Sequence, residues 1–342
     1  MKRQKIIDQS AIHSADIKSI IDSGEIPVIQ FGIPDYSDQI LIDVNELCIR
    51  HGELLKIRFY GHYGEHFDAS CLEKLPNVRN LALECLHEIR KIESLYKLEE
   101  LRALSFGVYE FDDKDFLSNF NFKHLTELSL IDNRKKNYNL SFLRKAKLLN
   151  TLFVDGLIKN LEVVSHLPEL KRLLLGKISK KVSLDFLSRC ENLKELELSL
   201  GGRENLKDVS ISSLEVLRVR GVRGFNSLGN LSRFPKLNCL HVEDENKLES
   251  IDLSGCSLKR LLIDNCKSLK LLEGIDNQKN IVWLDISRTA LDLDILKTKN
   301  WSSSLKVISI TGSSIKWNEK CREYLDSKGY VRHPLGSNVE FD

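Results

Sequence analysis

The chain has 342 residues, and its 51 lysines and arginines nearly balance 49 aspartates and glutamates, giving a net charge of +2. This balance argues against a dedicated nucleic-acid binder, which carries a marked basic excess. Hydrophobic residues make up 42% of the chain, which is enough to pack a core and excludes a disordered protein. The length by itself suggests two or three domains. Leucine occupies 57 positions, an excess that requires a structural reason.

The first 25 residues predict an amino-terminal helical cap and not a targeting signal. Asp8, His13 and Asp16 interrupt the apolar run that a signal peptide needs. Isoleucines between Asp8 and Ser23 recur at the spacing of an amphipathic helix, which Gly24 would end. No stretch reaches the roughly 18 apolar residues of a membrane span. We therefore expect a cytoplasmic protein that makes no membrane contact.

From residue 26 onward, an L-x-x-L-x-L pattern recurs, with Ile, Val or Phe allowed at the leucine positions. Its thirteen units start at residues 26, 54, 78, 101, 125, 149, 170, 193, 214, 237, 258, 281 and 305. In each unit the last two apolar positions alternate with polar ones, as in a short strand with one buried face. One unit cannot bury its leucines alone, so we expect stacked units to pair their strands in parallel around a continuous core.

The pattern resembles the leucine-rich repeat family over nearly the whole chain, and the mean spacing of about 23 residues lies within that family's range. Residues 92–98 resemble the repeats of phosphatase-regulator and internalin-type proteins. The resemblance implies an α/β horseshoe of about 12–13 repeats over residues 26–310. A parallel β-sheet would form its concave face, and short helices, 3₁₀ turns and loops would form its convex face.

Two departures from the family pattern predict local irregularity. The asparagine or cysteine that usually follows the strand is matched only by Asn133 and Cys266, whereas another unit has Glu245 there. The first repeat is also long, with a loop around residues 34–38. At the other end, residues 311–342 predict a carboxy-terminal capping helix followed by a tail, with Gly329 ending the helix. The chain is thus expected to form one continuous domain.

Catalytic motifs are sparse. His62, Glu65 and His66 match the H-x-x-E-H pattern of a zinc site, but Gly61 and Gly64 place them in a loop and not on a helix. No phosphate-binding glycine loop or G-x-S-x-G nucleophile motif occurs. The eight cysteines contain no C-x-x-C pair and suit free thiols in a reducing compartment. We therefore expect no enzyme activity, no cofactor and no metal.

The strand positions that point to the concave face form the candidate binding surface. Aromatic residues and arginines, the types enriched at binding hot spots, occur there among interleaved carboxylates. The expected partner-binding residues are Lys56, Arg58, Tyr60, Phe153, Arg172, Leu174, Glu195, Glu197, Arg218, Arg220, His241, Glu243, Arg260, Leu262, Trp283 and Asp285. The alternative is that these side chains pack against one another and that their charges pair laterally across strands.

Both signs of charge on this surface favour a folded protein partner over a nucleic acid. The sequence therefore predicts a monomeric, non-catalytic protein-binding scaffold. Its most specific form would be an immunity protein or inhibitor that neutralises a toxin or enzyme. A regulatory adaptor, for example of a phosphatase, is the alternative, and a metal-dependent enzyme using the His62–His66 loop is the opposing class.

Overall fold

The computed structural model describes residues 3–34, 36–61, 66–131, 134, 137–156 and 158–331. These residues form two compact units, one ending at Leu170 and the other beginning at Lys171. Both units are built from the same repeated element, a short strand followed by a turn, a 3₁₀ segment or a short helix.

The first unit contains eleven strands within its described residues. They are β1 (Gln4–Asp8), β2 (Ile26–Phe31), β3 (Lys56–Tyr60), β4 (His66–Asp68), β5 (Asn80–Leu86), β6 (Glu88–Arg90), β7 (Ala103–Val108), β8 (Glu127–Ile131), β9 (Tyr138–Asn139), β10 (Thr151–Asp155) and β11 (Ile158–Lys159). Seven pair in parallel in the order β1-β2-β3-β5-β7-β8-β10, while β4–β6 and β9–β11 form small two-stranded sheets.

The second unit contains nine strands within its described residues. They are β12 (Arg172–Gly176), β13 (Glu195–Ser199), β14 (Val216–Arg220), β15 (Cys239–Glu243), β16 (Ser250–Asp252), β17 (Arg260–Asp264), β18 (Leu271–Glu273), β19 (Trp283–Ser287) and β20 (Val307–Thr311). Seven pair in parallel in the order β12-β13-β14-β15-β17-β19-β20, and β16 pairs with β18. Each of the thirteen repeats found in the sequence supplies one strand of these two seven-stranded arrays, and β1, which precedes the repeats, supplies the fourteenth. The predicted parallel repeat architecture is therefore confirmed.

The core of the second unit is a ladder of leucines in register. The second residues of its seven paired strands face the same side, and each is at most 1% exposed. They are Leu173, Leu196, Leu217, Leu240, Leu261, Leu284 and Ile308. Burying one leucine contributes roughly 1.5–3 kcal/mol, and every leucine here is buried by its neighbours in the ladder. This is the structural reason for the leucine excess.

The strands of the second unit end in a column of left-handed residues. Lys177, Leu200, Gly221, Asp244, Asn265 and Arg288 follow six successive strands and have φ between 51° and 62°. Each donates its backbone N–H to the last residue of the next strand, as Leu200 does to Arg220 at 2.9 Å. The chain turns away from the sheet at this column. Only Gly221 among the six is glycine, so this column of left-handed residues is hard to recognise from the residue types.

Helices and 3₁₀ segments complete each unit. The helices are α1 (Ser14–Asp22), α2 (Asp38–His51) and α3 (Glu93–Tyr96) in the first unit and α4 (Leu293–Thr298) and α5 (Ile315–Ser327) in the second. The 3₁₀ segments are Gln9–Ala11, Gly52–Leu54, Ala69–Lys74, Phe116–Asn119, Leu140–Lys145, Leu161–His166, Asp185–Arg189, Leu231–Arg233 and Ile275–Asn277. This confirms the predicted mixture of short helices and 3₁₀ turns.

The amino-terminal region differs in detail from the sequence expectation. The helix begins at Ser14 and not at Asp8, because the Asp8 carboxylate accepts the Ser10 N–H at 3.0 Å and starts a 3₁₀ turn. Residues before it add the strand β1, which pairs with β2. The long first repeat holds α2, whose first turn is capped by the Ser37 hydroxyl. Since α1 packs on β2 and α5 on β20, we propose that these two helices cap their units.

Candidate functional site

One side of each seven-stranded array lies over the core, and the other side is open. In β13, for example, Leu196 and Leu198 are buried, whereas Glu195, Glu197 and Ser199 are half-buried on the opposite side. We call the side formed by the first, third and fifth residues of the strands the open face. All sixteen predicted binding residues lie at such positions. Four belong to the first unit (Lys56, Arg58, Tyr60 and Phe153) and twelve to the second.

In the first unit, β3 places a pair of cations around one carboxylate. Arg58 Nη2 lies 2.7 Å from Glu84 Oε2, and Lys56 Nζ lies 3.8 Å from Glu84 Oε1. Arg58 also donates to Gln30 at 3.1 Å and stacks over Tyr60, its Cζ lying 4.1 Å from the ring centroid. Burial lowers the pKa of Lys56, and the Glu84 carboxylate partly opposes this shift. Phe153, on β10, is half-buried on the same face.

In the second unit, a first set of ion pairs links three strands. Glu195 Oε2 accepts hydrogen bonds from Arg172 Nε and from Arg218 Nη1, each at 3.1 Å. The side chains of Arg218, Glu195 and Arg172 are 12%, 25% and 32% exposed. Because these side chains are partly buried, solvent screens the ion pairs only in part. The carboxylate therefore holds both guanidinium groups in defined positions.

A second set of ion pairs runs along the ends of the same strands. Arg220 bridges two carboxylates, with Nη1 3.3 Å from Glu197 Oε1 and Nε 2.9 Å from Glu243 Oε2. His241 Nε2 lies 3.4 Å from the same Glu243 oxygen. Burial, reinforced by the positive charge of Arg220, lowers the pKa of His241 to about 4. His241 is therefore neutral at physiological pH. The lateral pairing of charges across strands, which the sequence left open as an alternative, is present at Arg220, Glu197 and Glu243.

Apolar and aromatic side chains follow in the next strands. Trp283 and Leu262 are half-buried on β19 and β17, and Arg260 Cζ lies 5.8 Å from the centroid of the Trp283 ring. Asp285 lies opposite Leu262 in the strand register, and Leu174 is half-buried at the third position of β12. The open face of this unit thus combines ordered charges with apolar side chains that retain accessible surface.

Sequence reasoning missed three members of these clusters. Glu84 and Gln30, at the fifth positions of β5 and β2, hold Arg58. Arg288 pairs with Asp264 through Nε at 2.8 Å, although it follows β19 in the left-handed column. The fifth strand position carries a detectable signal, since Arg220, Glu243 and Asp264 occupy it in successive strands. A residue beyond the strand end gives no such signal.

The structure describes only part of the H-x-x-E-H motif. His62 and Glu65 lie outside the described residues, and His66 Nδ1 pairs with Glu88 Oε2 at 2.6 Å. No three His, Cys, Asp or Glu side chains among the described residues could hold a metal ion together. All eight cysteines are free. Burial raises the pKa of Cys239, the cysteine on the open face, to about 11, so this thiol is a poor nucleophile at neutral pH.

Comparison with known structures identifies the fold. An internalin of Listeria monocytogenes, inlF, superposes with a TM-score of 0.55 at 16% identity, covering 92% of this chain and 87% of the internalin. A leucine-rich repeat protein of Leptospira interrogans aligns at 14% identity and a TM-score of 0.46, covering 90% of this chain and 89% of its own. No family model and no curated protein sequence matches the chain.

The likeness to the internalin, together with the repeat and its parallel strands, shows that the chain has a leucine-rich repeat fold. Proteins with repeat folds of this kind use the exposed face of the repeat array as an extended binding surface. As a class, leucine-rich repeat proteins mediate protein–protein interactions. No helix in the described part of the chain is long and apolar enough to cross a membrane.

Proposed function

We propose that the chain is a non-catalytic protein-binding module that takes a folded protein partner on the open face of its second unit. The observation that carries this proposal is the pair of ion clusters centred on Glu195 and Arg220, next to the half-buried Leu262 and Trp283. Interface hot spots are enriched in tryptophan and arginine and are surrounded by contacts that exclude water. This surface offers both residue types on a rigid sheet.

Preorganisation is the physical reason why such a surface suits binding. Ordering a flexible arginine at an interface costs about 0.5–1.5 kcal/mol per side chain. Here Arg172 and Arg218 are already held by Glu195, so part of that cost falls in folding and not in binding. A partner also meets charges of both signs in fixed positions, which favours one orientation over others.

Within this class, we propose the role of an immunity protein or inhibitor that neutralises a toxin or enzyme. A surface that needs little rearrangement is typical of inhibitor complexes, in which the backbone moves little on binding. A regulatory adaptor, for example of a phosphatase, is the alternative, and loss of an enzyme's activity on binding would separate the two. The proposed setting is the reducing cytoplasm, which suits eight free cysteines, and the proposed free state is a monomer.

Affinity capture from the native source tests the proposal. The bait would be used as wild type and as the variants Arg218→Ala, Trp283→Ala and Phe153→Ala. Phe153 lies on the first unit, and so reports whether that unit contributes. The matched control is Leu271→Ala, because Leu271 is 49% exposed on β18, outside the seven-stranded array. We expect one partner to be retained by the control and lost by the Arg218 and Trp283 variants. Equal retention by all baits would contradict an open-face site.

A further inference from the structure

The edge at which the strands of the second unit begin carries an excess of positive charge. It is formed by Lys171 and by the turns leading into the strands, residues 189–194, 210–215, 233–238, 254–259, 277–282 and 301–306. We call this edge the strand-start rim. Its charged residues, apart from Arg233, are seven cations and two carboxylates: Lys171, Arg189, Lys194, Lys236, Lys259, Lys279, Lys306, Glu191 and Glu215. Arg233 is directed elsewhere and donates to the carbonyls of Leu206 and Lys207.

Most of this charge is not neutralised within the described residues. Lys194 Nζ lies 2.7 Å from Glu215 Oε1, so these two offset each other. The six other cations have no ion-pair partner in the part of the chain that the structure describes. Lys171, Lys236, Lys259, Lys279 and Lys306 are all exposed. The rim is therefore a row of solvated lysines available to an outside anion.

The backbone fixes the rim as a line. Lys194 N–H donates to the Lys171 carbonyl at 2.8 Å, and Lys306 N–H donates to the Val282 carbonyl at 3.0 Å, which continues the strand register through the rim. Lys171 and Lys306 precede the first and last of seven adjacent strands. At about 4.8 Å per strand, the line is about 29 Å long. A standard interface buries roughly 800 Å² on each partner, so a line of this length can run along one side of it.

The open face of the same unit shows no such excess. Its four arginines, Arg172, Arg218, Arg220 and Arg260, face five carboxylates, Glu195, Glu197, Glu243, Asp264 and Asp285. Positive charge is therefore segregated to the rim while the net charge of the chain stays at +2. The net charge of the chain does not reveal this segregation, because charges of both signs cancel in the sum.

We propose that the strand-start rim contacts an acidic surface of the same protein that binds the open face; this inference rests on the proposed function. Four rim lysines directly precede open-face residues, as Lys259 precedes Arg260, so one partner covers both surfaces. The open face beside the rim carries five carboxylates, which would repel a phosphate backbone but can pair with basic groups of a folded protein. The two aromatic residues of the rim, Phe234 and Trp301, are 0% and 8% exposed and offer no platform for stacking bases. These features favour an acidic protein over a nucleic acid.

The test uses a fluorescent polyglutamate peptide of about 20 residues as the anionic probe, with anisotropy measured at low and at physiological salt. The rim variant is Lys259→Glu/Lys279→Glu/Lys306→Glu. The control carries the same charge change on exposed lysines of the same unit outside the rim: Lys247→Glu/Lys267→Glu/Lys270→Glu. We expect the rim variant to bind at least about tenfold more weakly than wild type, and the control to stay within about threefold, because attraction depends on local charge.

Equal weakening by both variants would overturn the proposal, since the probe would then report only net charge. Undiminished binding by the rim variant would overturn it as well. Rim-dependent binding of a DNA duplex or of phosphatidylserine vesicles, without rim-dependent binding of polyglutamate, would assign the rim to a different class of partner. Trp283→Ala should bind polyglutamate as wild type does. Failure of the rim proposal can thus be distinguished from failure of the open-face proposal. Polyglutamate binding tests the rim, and capture of the partner tests the open face.

Discussion

Replacing Glu195 by glutamine tests whether the ion clusters of the open face are rigid parts of the fold. Glu195 Oε2 accepts from both Arg172 and Arg218 at 3.1 Å. A glutamine whose amide oxygen takes the place of Oε2 can still accept from both guanidinium groups, but it removes the negative charge that balances their two positive charges. Hydrogen bonds to charged groups contribute about 1.5–3 kcal/mol, so we expect the free energy of unfolding to fall by about 2 kcal/mol.

The matched control is Glu215→Gln, which removes a single pair with Lys194 at 2.7 Å. The side chains of Lys194 and Glu215 are 40% and 41% exposed. Exposed pairs typically contribute about 0.2–1 kcal/mol, and high salt removes most of that. We therefore expect Glu215→Gln to cost at most about 0.5 kcal/mol and the difference between the two variants to persist in high salt.

Denaturant unfolding followed by tryptophan fluorescence suits this comparison, because all three tryptophans, Trp283, Trp301 and Trp317, lie in the second unit. For a unit of this size, a loss of about 2 kcal/mol corresponds to a melting temperature lower by about 4–8 °C. If Glu195→Gln were no more costly than Glu215→Gln, the clusters would be ordinary surface pairs. The arginines would then not be preorganised for binding.

Three further predictions concern single positions of the second unit. Glu245 is 1% exposed and accepts the Val222 N–H at 2.8 Å, and burial raises its pKa to about 7. Its contribution to stability is therefore full below about pH 4.5 and is lost as pH rises through 7. Glu245→Gln should remove this loss when the free energy of unfolding is measured across that range. The lowered pKa of His241 acts in the opposite sense, so wild type should lose stability relative to His241→Gln as pH falls from 6.5 to 4. Leu200 has φ +57°, a conformation that strains any residue except glycine, so Leu200→Gly should raise the free energy of unfolding by about 1 kcal/mol. Gly221→Ala in the same column should lower the free energy of unfolding by about as much. A change of the same sign for both variants would show that backbone strain does not decide stability at these positions.

The sequence predicts the strands well because each carries its own apolar alternation within a fixed period. All thirteen repeats supply a strand at the expected place. The strand β1 was missed because its segment, with Ile6 exposed and only Ile7 buried, lacks the repeat pattern. The helix α2 was missed because the long first repeat was interpreted as a loop, although Ser37 caps it.

The candidate site is predictable in outline and not in its contacts. Strand alternation is enough to place Arg218 and Trp283 on the open face. It cannot tell which carboxylate an arginine contacts, since Glu197 lies opposite Arg218 in the register, yet Arg218 Nη1 lies 3.1 Å from Glu195 on the diagonal. That choice depends on side-chain rotamers and on three strands at once. The binding role of the sixteen residues stays a prediction.

The most direct test of open-face binding is the affinity of the purified chain for its captured partner, measured by titration calorimetry with wild type, Trp283→Ala and Leu271→Ala. Trp283→Ala removes a half-buried aromatic side chain from the open face, and Leu271→Ala removes a more exposed apolar side chain from outside the seven-stranded array. A central hot spot is worth about 2 kcal/mol or more, so we expect Trp283→Ala to weaken binding at least about 30-fold and Leu271→Ala to leave it unchanged. Unchanged affinity for Trp283→Ala, or an equal loss for both variants, would contradict binding on the open face.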